Sequence, residues 1–340
     1  MKDPHRGLFC YNENMDIIYS AGLILLSILL IGKGSDWLTD SLIPLAKRLG
    51  VSGVSVGLIL VSIAVSLPEV IVAIYTTLKG FPGITLGVIF GSIFVNIGFM
   101  TGLSAIVRPL KVTKNLILRD GVFSLIVPIL VLAVGLQGKI TRAEGFAFVL
   151  LFVTYVINVF LQEKQRTDED RIQDVKEVEM SLDLLGFDMG KIKSGWISFI
   201  LGAGVLVGGA QLFGSQLISI AEGFQINQLI IGFTLGAVGP SIPNIMAAYK
   251  AARKDMGEIA VSEALGSNIF TLLVTLGVTA MLSPIILAPQ WIRFDLPALL
   301  ILSAMLFLFT VTKKAISRFE GSLLLAAYLI IVAAQVYLAS

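Results

Sequence analysis

One short motif occurs twice in this chain, and each copy lies inside a long apolar stretch. The first copy reads Ser-Leu-Pro-Glu at residues 66–69, and the second reads Ser-Ile-Pro-Asn at residues 241–244. Polar side chains at membrane depth are costly unless they face a protein interior or an ion pathway. The two copies therefore mark the part of the chain around which its fold and function are organised.

The two copies are 175 residues apart, and the same offset relates many other positions. The further identical pairs include Ala46 and Ala221, Gly57 and Gly232, Ala73 and Ala248, Gly91 and Gly266, Ser92 and Ser267, Gly102 and Gly277, and Pro109 and Pro284. Such a series at one fixed offset indicates an internal duplication. Matching apolar segments interrupted by glycine or proline in two halves are typical of transporters whose binding site lies at the membrane midplane.

The composition is typical of a membrane protein. Of the 340 residues, 56% are hydrophobic and 14% are charged, and the mean hydropathy is +0.90. A soluble domain contains about 25% charged residues. Cys10 is the only cysteine and His5 the only histidine, which excludes an intrachain disulfide and argues against histidine-centred catalysis. Because no basic cluster with interleaved aromatic residues is present, we expect no nucleic-acid partner.

Hydropathy predicts ten crossings of the membrane, at about 20 apolar residues per crossing. The predicted spans lie near residues 16–38, 52–79, 84–107, 117–136, 143–162, 194–221, 226–252, 257–282, 292–311 and 321–338. We therefore predict an all-α polytopic membrane protein with ten transmembrane helices in two inverted five-helix repeats. The first repeat is expected at residues 1–162, a linker at 163–193 and the second repeat at 194–340. The duplicated motifs lie near 57–102 and 232–277.

Basic residues predict the orientation, because Lys and Arg are enriched on the cytoplasmic side of membrane proteins. With the N-terminus outside, the inner connections collect most of the Lys and Arg, and residues 163–193 add six more. We predict a multi-pass protein of the cell membrane with both termini external and the 163–193 linker in the cytoplasm. The mixed charges of this linker favour a solvated segment. A regulatory cation site or an interfacial helix is the alternative.

The polar residues of the two motifs are candidate cation ligands. Glu69 leads them, because a carboxylate deep in an apolar span is a functional hypothesis by default. Hydroxyl, amide, carbonyl and carboxylate oxygens suit hard cations such as Na⁺, Ca²⁺ or Mg²⁺. A serine in a membrane helix also commonly bonds to its own backbone, and that alternative stays open for each serine. The pairs that share a helix face are Ser66 and Glu69, Ser241 and Asn244, Ser92 and Asn96, and Ser267 and Thr271.

These segments resemble the two alpha-repeats of the calcium:cation antiporter superfamily, of which sodium/calcium exchangers are one branch. The resemblance rests on the two motifs and on the Gly-Ser segments that begin at Gly91 and Gly266. It implies that the second, third, seventh and eighth helices meet at the midplane. The central positions that it implies are Glu69, Asn96, Asn244 and Thr271; the hydroxyl ligands are Ser66, Ser92, Ser241 and Ser267; and the backbone ligands lie around Ser62 and Ala237.

The chain departs from the family pattern at the centre. Asn244 stands where the resemblance leads us to expect a second carboxylate, and Thr271 stands where Asp or Asn is expected. Val65 and Pro240 replace residues that are often Thr or Asn. Because calcium sites with fewer charges bind more weakly, these departures bear on which cations the protein can carry.

Glu263 is a further carboxylate, and the duplication does not supply it, since its partner at the fixed offset is Val88. It lies one helical turn before Ser267. One interpretation is an interfacial glutamate that extends to water. The other is a vestibule residue that supplies a second negative charge between the cytoplasm and the central site.

We therefore expect a secondary cation antiporter of the sodium/calcium exchanger type that works by alternating access around Glu69. It would move Ca²⁺ or a related cation against Na⁺ or H⁺. The alternatives are a monovalent cation/proton antiporter, because the centre keeps one carboxylate, and a passive cation channel on the same scaffold. A membrane-embedded enzyme is disfavoured. We expect no cofactor, only the lipid bilayer and inorganic cations as partners, and a functional monomer.

Overall fold

The computed structural model describes residues 13–48, 54–164 and 195–339. Ten helices account for most of this part of the chain. In chain order they are α1 (Glu13–Arg48), α2 (Val54–Leu78), α3 (Pro82–Val107), α4 (Lys114–Gly135), α5 (Arg142–Lys164), α6 (Trp196–Gly223), α7 (Gln228–Arg253), α8 (Gly257–Leu282), α9 (Trp291–Lys313) and α10 (Arg318–Ala339).

The helices have the length and hydropathy that a bilayer requires. Within the described residues, nine of them contain a span that is long and apolar enough to cross a membrane. In the tenth, α2, the apolar part found is the shorter run Ser62–Leu78. The predicted all-α polytopic fold with ten membrane helices is confirmed. The linker expected from residue 163 starts slightly later, because α5 continues to Lys164. The rest of the expected linker, residues 165–193, lies outside the described residues.

Local sequence signals set several helix starts. Thr141 and Glu144 form a capping box at the start of α5, in which the Thr141 amide donates to Glu144 Oε2 at 2.7 Å. Ser317 and Glu320 repeat this box at the start of α10, with the Ser317 amide donating to Glu320 Oε2 at 2.7 Å. Each box occupies backbone N–H groups that would otherwise lack partners at a helix end. The fifth helix of each half therefore begins in the same way.

Two short strand pairs, which hydropathy did not predict, join the two halves. Strand β1 (Leu110–Lys111) pairs antiparallel with β4 (Ala315–Ile316), and β2 (Lys139–Ile140) pairs antiparallel with β3 (Ile285–Ile286). Leu110 lies opposite Ile316, and Ile140 lies opposite Ile285. The first pair links the α3–α4 and α9–α10 connections, and the second links the α4–α5 and α8–α9 connections. Each pair thus combines one connection from each half.

Five helices contain a wider π-helical turn. These segments are Val95–Thr101 in α3, Ile117–Gly121 in α4, Gly232–Gly236 in α7, Thr271–Thr275 in α8 and Trp291–Asp295 in α9. The segment in α7 precedes Pro240, which has no N–H to donate to the Gly236 carbonyl four residues earlier. The segments in α3 and α8 contain Asn96 and Thr271. Such turns frequently occur at functional sites.

Small residues bring the helices of the two halves into direct backbone contact. A Cβ atom added to Gly87 in α3 would lie 2.7 Å from the Gly232 Cα atom in α7. Real Cβ contacts are not that short, so no larger side chain fits at this crossing. Membrane helices use small residues at interfaces in this way because lipid supplies no hydrophobic force between them. The close approach places the polar residues of both halves in one buried centre.

Candidate cation-binding site

Glu69 lies at the centre of the molecule and connects the two halves. Its side chain is fully buried, and its Oε1 atom accepts a hydrogen bond from Ser241 Oγ at 3.1 Å. Glu69 belongs to the first copy of the motif and Ser241 to the second. The fixed offset predicted both residues as candidates, and the structure brings them into contact. The carboxylate of one half is therefore held by the hydroxyl of the other.

Helix α8 supplies a second set of contacts across the two halves. The hydroxyl groups of Ser66 and Ser267 lie 2.9 Å apart. The Asn96 amide nitrogen donates to Ser267 Oγ at 3.2 Å and to Asn268 Oδ1 at 3.3 Å. All four side chains are buried. Since the amide nitrogen of Asn96 is held by these two bonds, its oxygen is fixed on the opposite side of the amide group.

Several buried polar atoms at this centre have no hydrogen-bond partner among the described residues. These atoms are Glu69 Oε2, Asn96 Oδ1, Asn244 Oδ1 and Nδ2, and Thr271 Oγ1. Glu69, Asn96, Asn244 and Thr271 are all 0% exposed. Buried polar groups are normally satisfied, and each exception needs an explanation. A carboxylate, two amide oxygens and a hydroxyl with free lone pairs form an oxygen ligand set of the kind that hard cations take.

The charge at the centre has no basic partner among the described residues. Two ion pairs of that part of the chain, Arg108 with Asp255 and Arg119 with Asp120, do not involve Glu69. An unpaired buried carboxylate is strongly unfavourable. Within the same residues, no group of three or more His, Cys, Asp or Glu side chains could hold a metal ion. The centre therefore fits a cation that accepts neutral oxygen ligands together with very few carboxylates.

The π-helical turns position two of the central residues. Asn96 is the second residue of the Val95–Thr101 segment, and Thr271 is the first residue of the Thr271–Thr275 segment. The Thr101 hydroxyl donates to the Asn96 carbonyl oxygen at 2.8 Å. This side-chain bond occupies a carbonyl group at the irregular turn. Both turns lie in the segments that the sequence analysis identified as duplicated.

Three of the predicted ligands have other contacts. The Ser92 hydroxyl donates to the Ile89 carbonyl of its own helix at 3.0 Å, which was the alternative interpretation for a membrane serine. The Ser62 side chain donates to Glu263 Oε2 at 3.2 Å. Ala237 is fully buried against α3, where a Cβ atom added to Gly91 would lie 2.7 Å from the Ala237 Cβ atom. The hydroxyl ligand role of Ser92 and the backbone ligand roles of Ser62 and Ala237 stay predictions.

Glu263 does not extend to water. Its side chain is 9% exposed, it contacts Ser62 in α2, and its Oε1 atom has no partner. The interfacial interpretation is therefore wrong, because α2 covers the helix face on which this carboxylate lies.

Asn268 is a site residue that sequence reasoning missed. It accepts a hydrogen bond from Asn96, and its own amide nitrogen has no partner. Its counterpart at the fixed offset is Ile93, so the duplication gave no signal for it. A polar residue directly after Ser267, inside an apolar span, was the one available indication.

The comparisons with known proteins agree with this architecture. The family model described as sodium/calcium exchanger protein matches residues 19–161 and 194–337. An uncharacterised membrane protein of Methanocaldococcus jannaschii is 32% identical over 318 residues, covering 93% of this chain and 98% of its own length. The sodium/calcium exchanger MaX1 of Methanosarcina acetivorans is 28% identical over 334 residues, covering 90% of this chain and 95% of its own length. A structure of the sodium-calcium exchanger NCX_Mj matches with a TM-score of 0.66 and 28% identity, covering 93% of this chain and 98% of that one.

The helices, the buried oxygen atoms and the family match define a polytopic membrane protein of the ion-transporter class. Both halves of the chain are covered by one family model, and the fold is shared with a solved exchanger. The chain belongs to the sodium/calcium exchanger family.

Proposed function

We propose that this protein is a secondary cation antiporter that works by alternating access, with Glu69 as the charge that couples the two ions. The observation that carries the proposal is the Glu69 carboxylate, which is fully buried, bonded to Ser241 of the other half, and without a basic partner among the described residues. A site at the contact between two repeats can face either side of the membrane when one repeat rocks against the other.

The ligand set supports Ca²⁺ or a related hard cation as one transported ion, exchanged for Na⁺ or H⁺. MaX1 and NCX_Mj are both named sodium/calcium exchangers. Asn96, Asn244 and Thr271 offer neutral oxygens around the single central carboxylate. Because a divalent cation beside one carboxylate is incompletely neutralised, a monovalent cation/proton antiporter is the second candidate. We further propose a cell-membrane location, external termini and a functional monomer.

Coupled flux in proteoliposomes tests the proposal. Vesicles loaded with Na⁺, with K⁺ or with a low-pH buffer are diluted into isotopic Ca²⁺, and uptake is measured with each counter-ion alone. Uptake that needs a particular counter-ion gradient is expected of an antiporter. Ca²⁺ uptake that proceeds without any counter-ion gradient would instead identify a passive channel on the same scaffold.

Glu69→Gln should abolish coupled flux, because it removes the central charge while keeping a side chain of similar shape. Glu222→Gln makes the same chemical change at an exposed position near the end of α6 and should leave flux unchanged. Thermal unfolding of both variants in detergent checks that they fold. If Glu69→Gln retains the flux of the unaltered protein, the coupling site lies elsewhere.

A further inference from the structure

Two hydrogen-bonded contacts, one helical turn apart, join α2 to α8. Ser62 Oγ donates to Glu263 Oε2 at 3.2 Å, and Ser66 Oγ lies 2.9 Å from Ser267 Oγ. The two residues of each helix are four positions apart and therefore share one helix face. The contacts form a continuous polar seam, about 6 Å long, which ends at the central site beside Glu69. We call this the α2–α8 seam.

The end of the α2–α8 seam that is farther from Glu69 carries a second unpaired carboxylate. Glu263 is 9% exposed, its Oε1 atom has no partner, and no basic side chain of the described residues lies within ion-pair distance. A buried charge without a counter-charge is costly. A cation that contacts Glu263 Oε1 would supply the missing charge.

A cleft borders the α2–α8 seam at Ser62. Its lining includes Ser62, Ser262 and Gly266 on the seam side and Arg119, Asp120 and Tyr155 on the other side. Ser62 is partly exposed, so its hydroxyl lies at the boundary between the cleft and the seam. Arg119 is neutralised by two hydrogen bonds of 2.8 Å to Asp120. Glu263, which accepts a hydrogen bond from the lining residue Ser62, has no basic partner among the described residues.

The duplicated seam in the other half lacks these groups. At the fixed offset, Ser62 corresponds to Ala237 and Glu263 corresponds to Val88, and both of these side chains are fully buried. Gly91 packs directly on Ala237 there, at a separation that leaves no room for a Cβ atom. The polar seam therefore exists at one end of the central site only.

We propose that Glu263 and Ser62 form an auxiliary cation-binding site that loads the central site from one side of the membrane and has no counterpart on the other side. The site takes hard cations with oxygen ligands, of the kind that the central site carries. It rests on the proposed function, since it lies on an access path to that site. Its consequence is that the two faces of the protein have unequal apparent affinities.

Sided transport measurements test this inference. Isotopic Ca²⁺ uptake is measured in right-side-out and in inverted membrane vesicles at several ionic strengths. Glu263→Gln should raise the half-saturating Ca²⁺ concentration by about tenfold on one side, because ligand charge sets much of the affinity of calcium sites. Affinity on the other side should stay unchanged, which also shows that the variant folds. Ser62→Ala should produce a smaller change on the same side.

Glu258→Gln is the matched control, because it removes a carboxylate from the first turn of the same helix, five residues before the seam. It should leave both affinities unchanged. Equal changes on both sides for Glu263→Gln, or no change on either side, would overturn the auxiliary site.

A binding measurement separates this inference from the proposed function. Ca²⁺ should raise the unfolding temperature of the detergent-solubilised protein, and Glu263→Gln should require about tenfold more Ca²⁺ for the same rise. If the unaltered protein shows no coupled flux but the variant loses Ca²⁺ binding in this way, the antiporter proposal fails and the site stands. If the variant and the unaltered protein bind Ca²⁺ equally, the site is wrong whatever the flux.

Discussion

At the scale of single residues, Asn244 and Thr271 leave the centre short of negative charge. Within the described part of the chain, neither Asn244 amide atom has a hydrogen-bond partner, and the Thr271 hydroxyl has none either. Replacement of these two side chains therefore breaks no hydrogen bond with the protein. Asn244 and Thr271 are fully buried, like Glu69, and we expect added carboxylates at these positions to act on the same cation.

The double variant Asn244→Glu with Thr271→Asp should bind Ca²⁺ about ten times more tightly or better, since ligand charge count sets much of the affinity range of calcium sites. Isothermal calorimetry in detergent measures the change. Gln137→Glu adds a carboxylate in an exposed turn and should leave the affinity unaltered. Equal or weaker Ca²⁺ binding by the double variant would contradict the role assigned to the missing charges.

The sequence predicted those site residues that belong to the repeated motif, because their spacing along one helix is enough to identify them. Glu69, Ser66 and Ser241 follow from one motif that occurs twice, and the structure brings all three to the centre. The partners were not predictable, because the Glu69–Ser241 and Ser62–Glu263 contacts join residues of different halves. The interpretation of Glu263 as interfacial failed for the same reason: its burial depends on α2.

At the scale of helices, the two halves differ at a duplicated aspartate. Asp120 and Asp295 are 175 residues apart, and each lies in a π-helical turn, in α4 and α9 respectively. Asp120 receives two hydrogen bonds of 2.8 Å from Arg119 and one of 2.9 Å from Tyr155. Asp295 is 0% exposed and has no hydrogen bond of normal geometry, although the Gln335 amide lies nearby.

Asp120→Asn should destabilise the protein by about 3 kcal/mol or more, because it removes the carboxylate that receives two hydrogen bonds from the largely buried Arg119. Asp295→Asn should have a smaller or even stabilising effect, since it removes a buried carboxylate that has no basic partner in the described ranges. Unfolding temperatures in detergent, followed by intrinsic fluorescence, compare the two variants. Equal losses of stability in the two variants would mean that the Arg119–Asp120 ion pair adds no stability beyond what Asp295 gives in the other half.

Helix positions followed directly from hydropathy, whereas the irregular turns did not. Long apolar runs dictate membrane helices because backbone polar groups must be satisfied within the segment. A π-helical turn depends on details such as the Thr101 hydroxyl bonding to the Asn96 carbonyl, which hydropathy does not contain. The strand pairs were missed because each joins a connection of one half to a connection of the other.

At the scale of the whole molecule, the strand pairs determine which helix connections lie on the same side of the membrane. Leu110 and Ala315 lie on one face with β1 and β4, and Lys139 and Ile285 lie on the opposite face with β2 and β3. From Leu110 the chain crosses through α4 and returns through α5, so α5 ends at Lys164 on the Leu110 face. From Ala315 the chain crosses once through α10, so Leu338 ends on the opposite face.

Residues 165–194 and the end of α10 should therefore be accessible from opposite sides of the membrane. The test uses single cysteines, Asp170→Cys and Leu338→Cys, each in a Cys10→Ser background. Asp170 lies outside the described residues, while Leu338 is 49% exposed on the last turn of α10. An impermeant maleimide is applied to right-side-out and to inverted vesicles, and the Cys10→Ser protein alone should not label.

Because Lys and Arg concentrate on the Leu110 face, position 170 should label in inverted vesicles and position 338 in right-side-out vesicles. The reverse pattern would keep the inverted repeats but turn the molecule over in the membrane. The auxiliary site at Glu263 would then face outward, since α8 begins on the Leu110 face. Labelling of both positions from the same side would contradict five crossings in each half, and with them the inverted arrangement that places Glu69 and Ser241 in one centre.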